Sequence, residues 1–232
     1  MGCLPTFCIY FYFWQMLREV VNNDWFTVFL VIGLACVAIC KYTFANRFRD
    51  FTTVLVNSKY LKIYRKEQKF IDAFDGLLFV NLIISISIFF FLIYANLIST
   101  STFEIGQFSK LLFGIGLLFM IKTLFERLIA SVFDIDDLID AYLFQKTTYK
   151  NFMGLVLLPL NCFLLYTVRP SATLLYICIA VILLINIIGF LTSFKNYQKL
   201  LLGNIFYFIL YLCALEIGPY LILMNLITDY KA

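Results

Sequence analysis

Six long apolar runs, broken by short stretches that hold nearly all the charge, organise this chain. They are Trp25 to Phe44, Gly76 to Ile98, Gly106 to Glu126, Phe152 to Val168, Ala172 to Phe194 and Ile205 to Ile227. A helix needs about 20 mostly apolar residues to cross roughly 30 Å of hydrocarbon, and the second and fifth runs carry no charged residue at all. The third holds Lys122, with Lys110 near its start. Those lysines are about 18 Å apart along a helix, so each can snorkel to its own interface. The runs predict an all-α, polytopic transmembrane helix bundle of about six spans, one helical membrane domain over residues 25–232. The opening stretch from Leu4 to Leu17 is apolar and aromatic but short for a span before Arg18. It lacks a positive n-region and an A-x-A-like cleavage site, unlike a signal peptide. It is predicted to be an interfacial aromatic segment over residues 1–24, a seventh crossing being the alternative.

Composition removes most soluble functions. The chain is 63% apolar and 14% charged over 232 residues, against about 45–50% and roughly 25% for soluble domains. Too little polar surface is left to cover a globule in water, which excludes a secreted disulfide scaffold, a disordered chain and a nucleic-acid-binding domain. The lipid bilayer is the first partner the chain implies. Histidine is absent, which takes away the commonest metal ligand and general base. No cofactor or metal site is expected. The cysteines lie inside apolar runs and read as small hydrophobes; Cys36 and Cys40, one helical turn apart, lack the further ligands a metal needs.

Positive charge sets an expected orientation. With six spans, fourteen Lys and Arg fall on one side, in the loops after spans one, three and five, and only Arg18, Lys110, Arg169 and Lys231 on the other. The basic side is expected to be cytoplasmic, leaving both termini outside.

The two larger loops on the basic side have opposite signs. Asn46 to Asp75 has seven basic and four acidic residues, a net +3. In it Lys59, Lys62, Lys66 and Lys69 recur at helical spacing, with Tyr60, Ile63, Tyr64, Phe70, Ile71 and Phe74 opposite. This predicts an amphipathic basic helix lying in the headgroup layer, or a surface for a docking partner. Ser131 to Asn151 carries Asp134, Asp136, Asp137 and Asp140 against Lys146 and Lys150, a net −2. Leu128, Val132, Ile135, Ile139 and Leu143 keep helical spacing there, so the third span is expected to run on as an acidic amphipathic helix that clasps the basic loop. Asp136, Asp137 and Asp140 also spell DDxxD, an arrangement able to share a hard cation with a diphosphate. A second aspartate cluster, which such enzymes need, is missing.

Polar groups at bilayer depth are few. Glu216 stands near the middle of the sixth run, where an isolated carboxylate costs about 2.5–3.5 kcal/mol on insertion scales and should face the bundle interior. Three residues on, Pro219 leaves the carbonyl of Leu215 without its helical donor. The fourth run has a parallel break, Pro159 freeing the carbonyl of Leu155 with Asn161 nearby; Asn81 and Asn186 add further amides. Paired proline breaks beside polar groups mark midplane sites in transporters, and equally a buried Glu–Asn contact can lock helix packing. At the end of the third run Lys122 and Glu126 are one turn apart and can pair.

The chain resembles a bacterial membrane family, the domain-of-unknown-function family numbered 4271. The likeness rests on Asn23-Asp24-Trp25 before the first run, Asn57-Ser58-Lys59-Tyr60-Leu61-Lys62 in the basic loop and Tyr149-Lys150-Asn151-Phe152 entering the fourth run. It continues in the segment from Tyr207 to Pro219, which includes Leu215-Glu216-Ile217-Gly218-Pro219. The resemblance covers the chain from about residue 20 onward, implies a bacterial cytoplasmic (inner) membrane and supplies no activity. With no complete catalytic constellation, the expected role is a non-enzymatic structural, scaffold or assembly subunit of a membrane complex, meeting a membrane-protein partner or a second copy of itself. The alternative is a small transporter or proton-coupled subunit built on Glu216.

Overall fold

The computed structural model describes residues 24–55, 59–64, 72–98, 105–132, 136–167 and 172–203. The N-terminal aromatic segment up to residue 23, the sixth apolar run, and Lys66, Lys69, Asp134, Glu216 and Pro219 lie outside the described residues. Lys59, Lys62, Asp136 and Asp137 are placed by their helices alone. All regular structure among the described residues is helical: α1 (Asp24–Thr43), α2 (Ala45–Thr52), α3 (Lys59–Tyr64), α4 (Ala73–Ile93), a π-helical turn (Tyr94–Ile98), α5 (Ile105–Val132), α6 (Asp136–Tyr166) and α7 (Ala172–Gly203). Five of these elements are long and apolar enough to cross a membrane, and each overlaps one of the first five predicted runs, the fourth starting well before its predicted Phe152.

α4 and α6 form the centre. They share the largest interface, α1 and α5 pack against both, and α7 packs on α6. α4 can sit there because its sequence is apolar on every side, with Leu78, Leu82, Ile84, Ile86, Ile88 and Phe89 all buried. Its N-terminus is fixed by Asp72, whose side chain accepts from the backbone N–H of Phe74 at 3.2 Å, and Asp75 adds negative charge to the first turn. α4 and α6 come unusually close at Gly154, where a Cβ would stand 2.7 Å from Cα of Leu82. Only a residue without a side chain admits that contact. Aromatic clusters close both ends of the pair. Phe26, Phe91 and Phe108 meet at one end, with Phe26 and Phe91 centroids 5.3 Å apart; Phe51, Phe74, Tyr60 and Phe152 meet at the other.

Two expectations are revised, and the break at Pro159 is given its setting. The acidic stretch is not the tail of the third span: α5 runs six residues past Glu126 and ends at Val132, and Asp136 and Asp140 belong to α6, which continues without interruption into the fourth span. Leu128 and Val132 are exposed while Ile139 and Leu143 are buried, so the apparent stripe belongs to two helices. Within the basic loop, Tyr60 and Leu61 do not insert into a headgroup layer but are buried in protein, Tyr60 stacking on Phe144 of α6 at 6.0 Å and 22°. Pro159 does not end α6. It faces outward, the helix passes through it to Tyr166, and Asn161 two residues on is fully buried.

Candidate functional site

The polar chemistry of the described residues gathers at the end of the bundle where α1 ends and α4 begins. α1 and α2 are nearly continuous. Phe44 departs from helical geometry at φ −123°, ψ 48°, then Phe48 N–H returns to the Phe44 carbonyl at 2.8 Å. This bend carries Arg47 back over the start of α4. Its guanidinium pairs with Asp72 and, at 3.1 Å, with Oδ2 of Asp75, and its Nε donates to the Tyr60 hydroxyl at 3.2 Å. The same group lies 4.5 Å from the Phe74 ring centroid and 5.3 Å from that of Tyr64, which itself donates to Asp50 at 3.4 Å. One cation thus ties α2, α3 and α4 together. Burial opposes the charge on Arg47, but Tyr60, Asp72 and Asp75 more than offset it, so its pKa is raised. Burial, reinforced by the charge of Asp75 and opposed by Arg47, pushes the Tyr60 phenol well above the ordinary phenol range.

A second ionic tie joins α5 to α6. Lys146 donates to Oε1 of Glu126 at 2.8 Å, with the Glu126 side chain 2% and the Lys146 side chain 11% exposed. The partner the structure gives Glu126 is therefore on another helix, not Lys122 one turn away. Nearer the tip, Arg127 pairs with Asp140 at 3.1 Å in a more exposed position. The basic loop and the acidic helix meet through the Tyr60–Phe144 stack, and Asp140 is engaged by its own hairpin. The side chains of Lys59, Lys62, Lys66, Lys69, Asp134, Asp136 and Asp137, which would carry a charge attraction between the two loops, lie outside those described.

Deeper, α4 and α6 bury a row of uncharged polar groups. Asn161 donates from Nδ2 to the Ser85 carbonyl at 2.8 Å. Its Oδ1, the Ser85 hydroxyl and both ends of the fully buried Asn81 amide have no hydrogen-bond partner among the described residues. Gly33 of α1 leaves the space that Asn81 occupies, since a Cβ there would stand 3.0 Å from its Oδ1. Nearer the charged end, the Gln145 amide and Oδ1 of Asn151 are buried and likewise unpartnered, while Asn151 Nδ2 reaches the Asp75 carbonyl at 3.4 Å. Asn186 sits on the exposed side of α7, donating to the Ile182 carbonyl at 2.9 Å and lying 3.2 Å from the Met153 sulfur.

Of the residues singled out from sequence, Asn161 and Asn81 come together in the buried row, and Pro159 lies on the other side of α6 from it. Arg47, Asp72, Asp75, Tyr60 and Gln145 were not singled out as a group. Asp72 and Asp75 just ahead of an uncharged run are a helix-start signal, and nothing in their spacing points to Arg47. The Lys146–Glu126 tie joins residues twenty positions apart and depends on the hairpin between α5 and α6, which no local spacing reveals.

No match was found among curated proteins or among solved structures. A family model does match, over residues 26–227, and its description is "Domain of unknown function (DUF4271)". That match takes in the five described apolar spans from Phe26 on and both charged ties, and the chain belongs to the DUF4271 family.

Proposed function

We propose that the chain is a non-enzymatic structural or assembly subunit of a membrane complex, multi-pass in the inner membrane of a bacterium, with both termini outside. The observation that supports this is the exposure of α5. Only 6% of its span window is buried, against 56% for the windows of α4 and α6. Phe113, Leu117, Met120, Ile121, Leu124 and Phe125 are all exposed along it. Glu126 and Arg127 of α5 pair with α6, and the outer face from Phe113 to Phe125 is apolar over several turns, a surface on which a transmembrane helix of another subunit can pack. A photoreactive phenylalanine analogue at Leu117 or Leu124 tests this in native membranes. A discrete crosslinked polypeptide is the expected product, and lipid adducts alone would overturn the proposal. The orientation is tested by a reporter fused after Ala232, which is expected to report the outer side.

The alternative role, a small transporter or proton-coupled subunit using Glu216 with Pro219, Pro159 and Asn161, is favoured by the buried Asn81–Ser85–Asn161 row. Unpartnered amides at bilayer depth are costly and tend to line a path or site. Glu216→Gln separates the two: a variant that assembles normally yet fails to complement a deletion supports transport, and one that fails to assemble supports a structural role.

A further inference from the structure

A cleft opens between α5 and α6 beside the Lys146–Glu126 pair. It is lined by Lys122, Thr123 and Glu126 from α5 and by Lys146, Thr147 and Lys150 from α6, over an apolar floor that includes Leu82 and Phe119. The lining holds three lysines and one glutamate, a formal net of +2, with two threonines, of which Thr123 donates its hydroxyl to the Phe119 carbonyl at 2.9 Å. Lys150 Nζ lies 4.7 Å from the Phe119 ring centroid, and Lys146 Nζ, 5.4 Å from that of Tyr142, is held by Glu126. The cleft lies toward the end of the bundle that carries the ion pairs. Asn151, next to Lys150, reaches the Asp75 carbonyl in the first turn of α4, and the floor residue Leu82 is only about 10 Å further along that helix.

We propose that this cleft holds the phosphate of an anionic phospholipid. The shape of α5 argues for a lipid over a free anion. Lys122, Thr123 and Glu126 share a face with Phe119, Ile115 and Leu112, which continue at helical spacing toward the bilayer interior as half-buried apolar residues. The groove is polar at the membrane edge and apolar below, matching a headgroup with an acyl chain beneath it. Basic pockets between spans near the interface hold phosphate in this way, as ammonium donors desolvated on one side gain strength.

The test compares the full-length protein in nanodiscs of dioleoylphosphatidylglycerol and of dioleoylphosphatidylcholine, with native mass spectrometry of retained lipid and a thermal melt. Retention of phosphatidylglycerol and a higher melting temperature in the anionic lipid are expected. Lys122→Gln with Lys150→Gln should weaken that retention roughly tenfold to thirtyfold, at about one tenfold step or less per lysine, and should lower the melt more in phosphatidylglycerol than in phosphatidylcholine. Both lysines lie outside the Lys146–Glu126 tie, and should the double variant fold poorly, Lys122→Arg with Lys150→Arg must keep the retention. Equal retention by wild type and the glutamine variant would overturn the proposal, as would a stabilisation reproduced in full by inorganic phosphate in phosphatidylcholine.

Discussion

Glu126 is the described residue whose surroundings changed most between sequence and structure. Read locally it is the interfacial partner of Lys122; in the fold it is 2% exposed and bound to Lys146. A buried pair of this kind adds little net stability over an apolar substitute, because desolvation takes back most of the attraction. Breaking one half is another matter. Glu126→Leu strands an ammonium that is 11% exposed and should destabilise by about 3–5 kcal/mol, while Glu126→Leu combined with Lys146→Met should recover most of that loss. Unfolding midpoints in detergent measure both. If the double variant is no better than the single one, Glu126 has another partner that matters more. Tyr60 makes a second prediction at this scale. Its folded pKa is raised, chiefly by burial, so the neutral phenol stabilises fully below the unfolded value of about 10 and loses that contribution as pH climbs past it. A melt followed from about pH 8 to pH 11 should fall in the upper part of the range, and Tyr60→Phe should fall less steeply.

Helix by helix, the boundaries were legible wherever apolarity starts or stops abruptly. α1 and α5 begin within one residue of their predicted starts, and α4 with its π turn ends at the predicted Ile98. α6 was not legible as one element, because its first half is polar and charged and its second half apolar. A helix that crosses from interface to hydrocarbon changes composition without changing conformation, so an apolar-run criterion cuts it at Phe152. The contact between α4 and α6 was not legible either, since Gly154 and Leu82 are far apart in sequence. It makes a sharp prediction: Gly154→Ala places a methyl 2.7 Å from Cα of Leu82 and should cost about 1–3 kcal/mol through forced separation of the helices. Gly114→Ala on α5, where a Cβ meets nothing within 4 Å, should be neutral or slightly stabilising, up to about 1 kcal/mol. Thermal melts of the two alanine variants, side by side, check the difference in sign.

Across the whole molecule, the polar residues divide by depth. The described ion pairs lie at one end of the bundle, where Arg47, Lys146 and Arg127 each join two or more elements, and among the described residues the buried polar groups between them and the Phe26–Phe91–Phe108 cluster are neutral amides and hydroxyls. The all-α architecture and this segregation could be anticipated, because charge at bilayer depth is costly and, Glu216 apart, the sequence keeps it near the run ends. Which charge meets which could not, since every tie but the Arg47 clamp depends on how α6 leans on its neighbours. The unbroken length of α6 then has a mechanical side. From Asp136 to Tyr166 it has 31 residues, roughly 46 Å, which exceeds the hydrocarbon thickness of about 30 Å. It is a stiff rod with one end outside the apolar layer, clamped to α5 near its first turns. Its one weak link is at Pro159, which has no N–H to return to Leu155. A load applied at the Asp140 end passes along nineteen residues, about 28 Å of helix, before bending concentrates at that elbow, two residues short of Asn161.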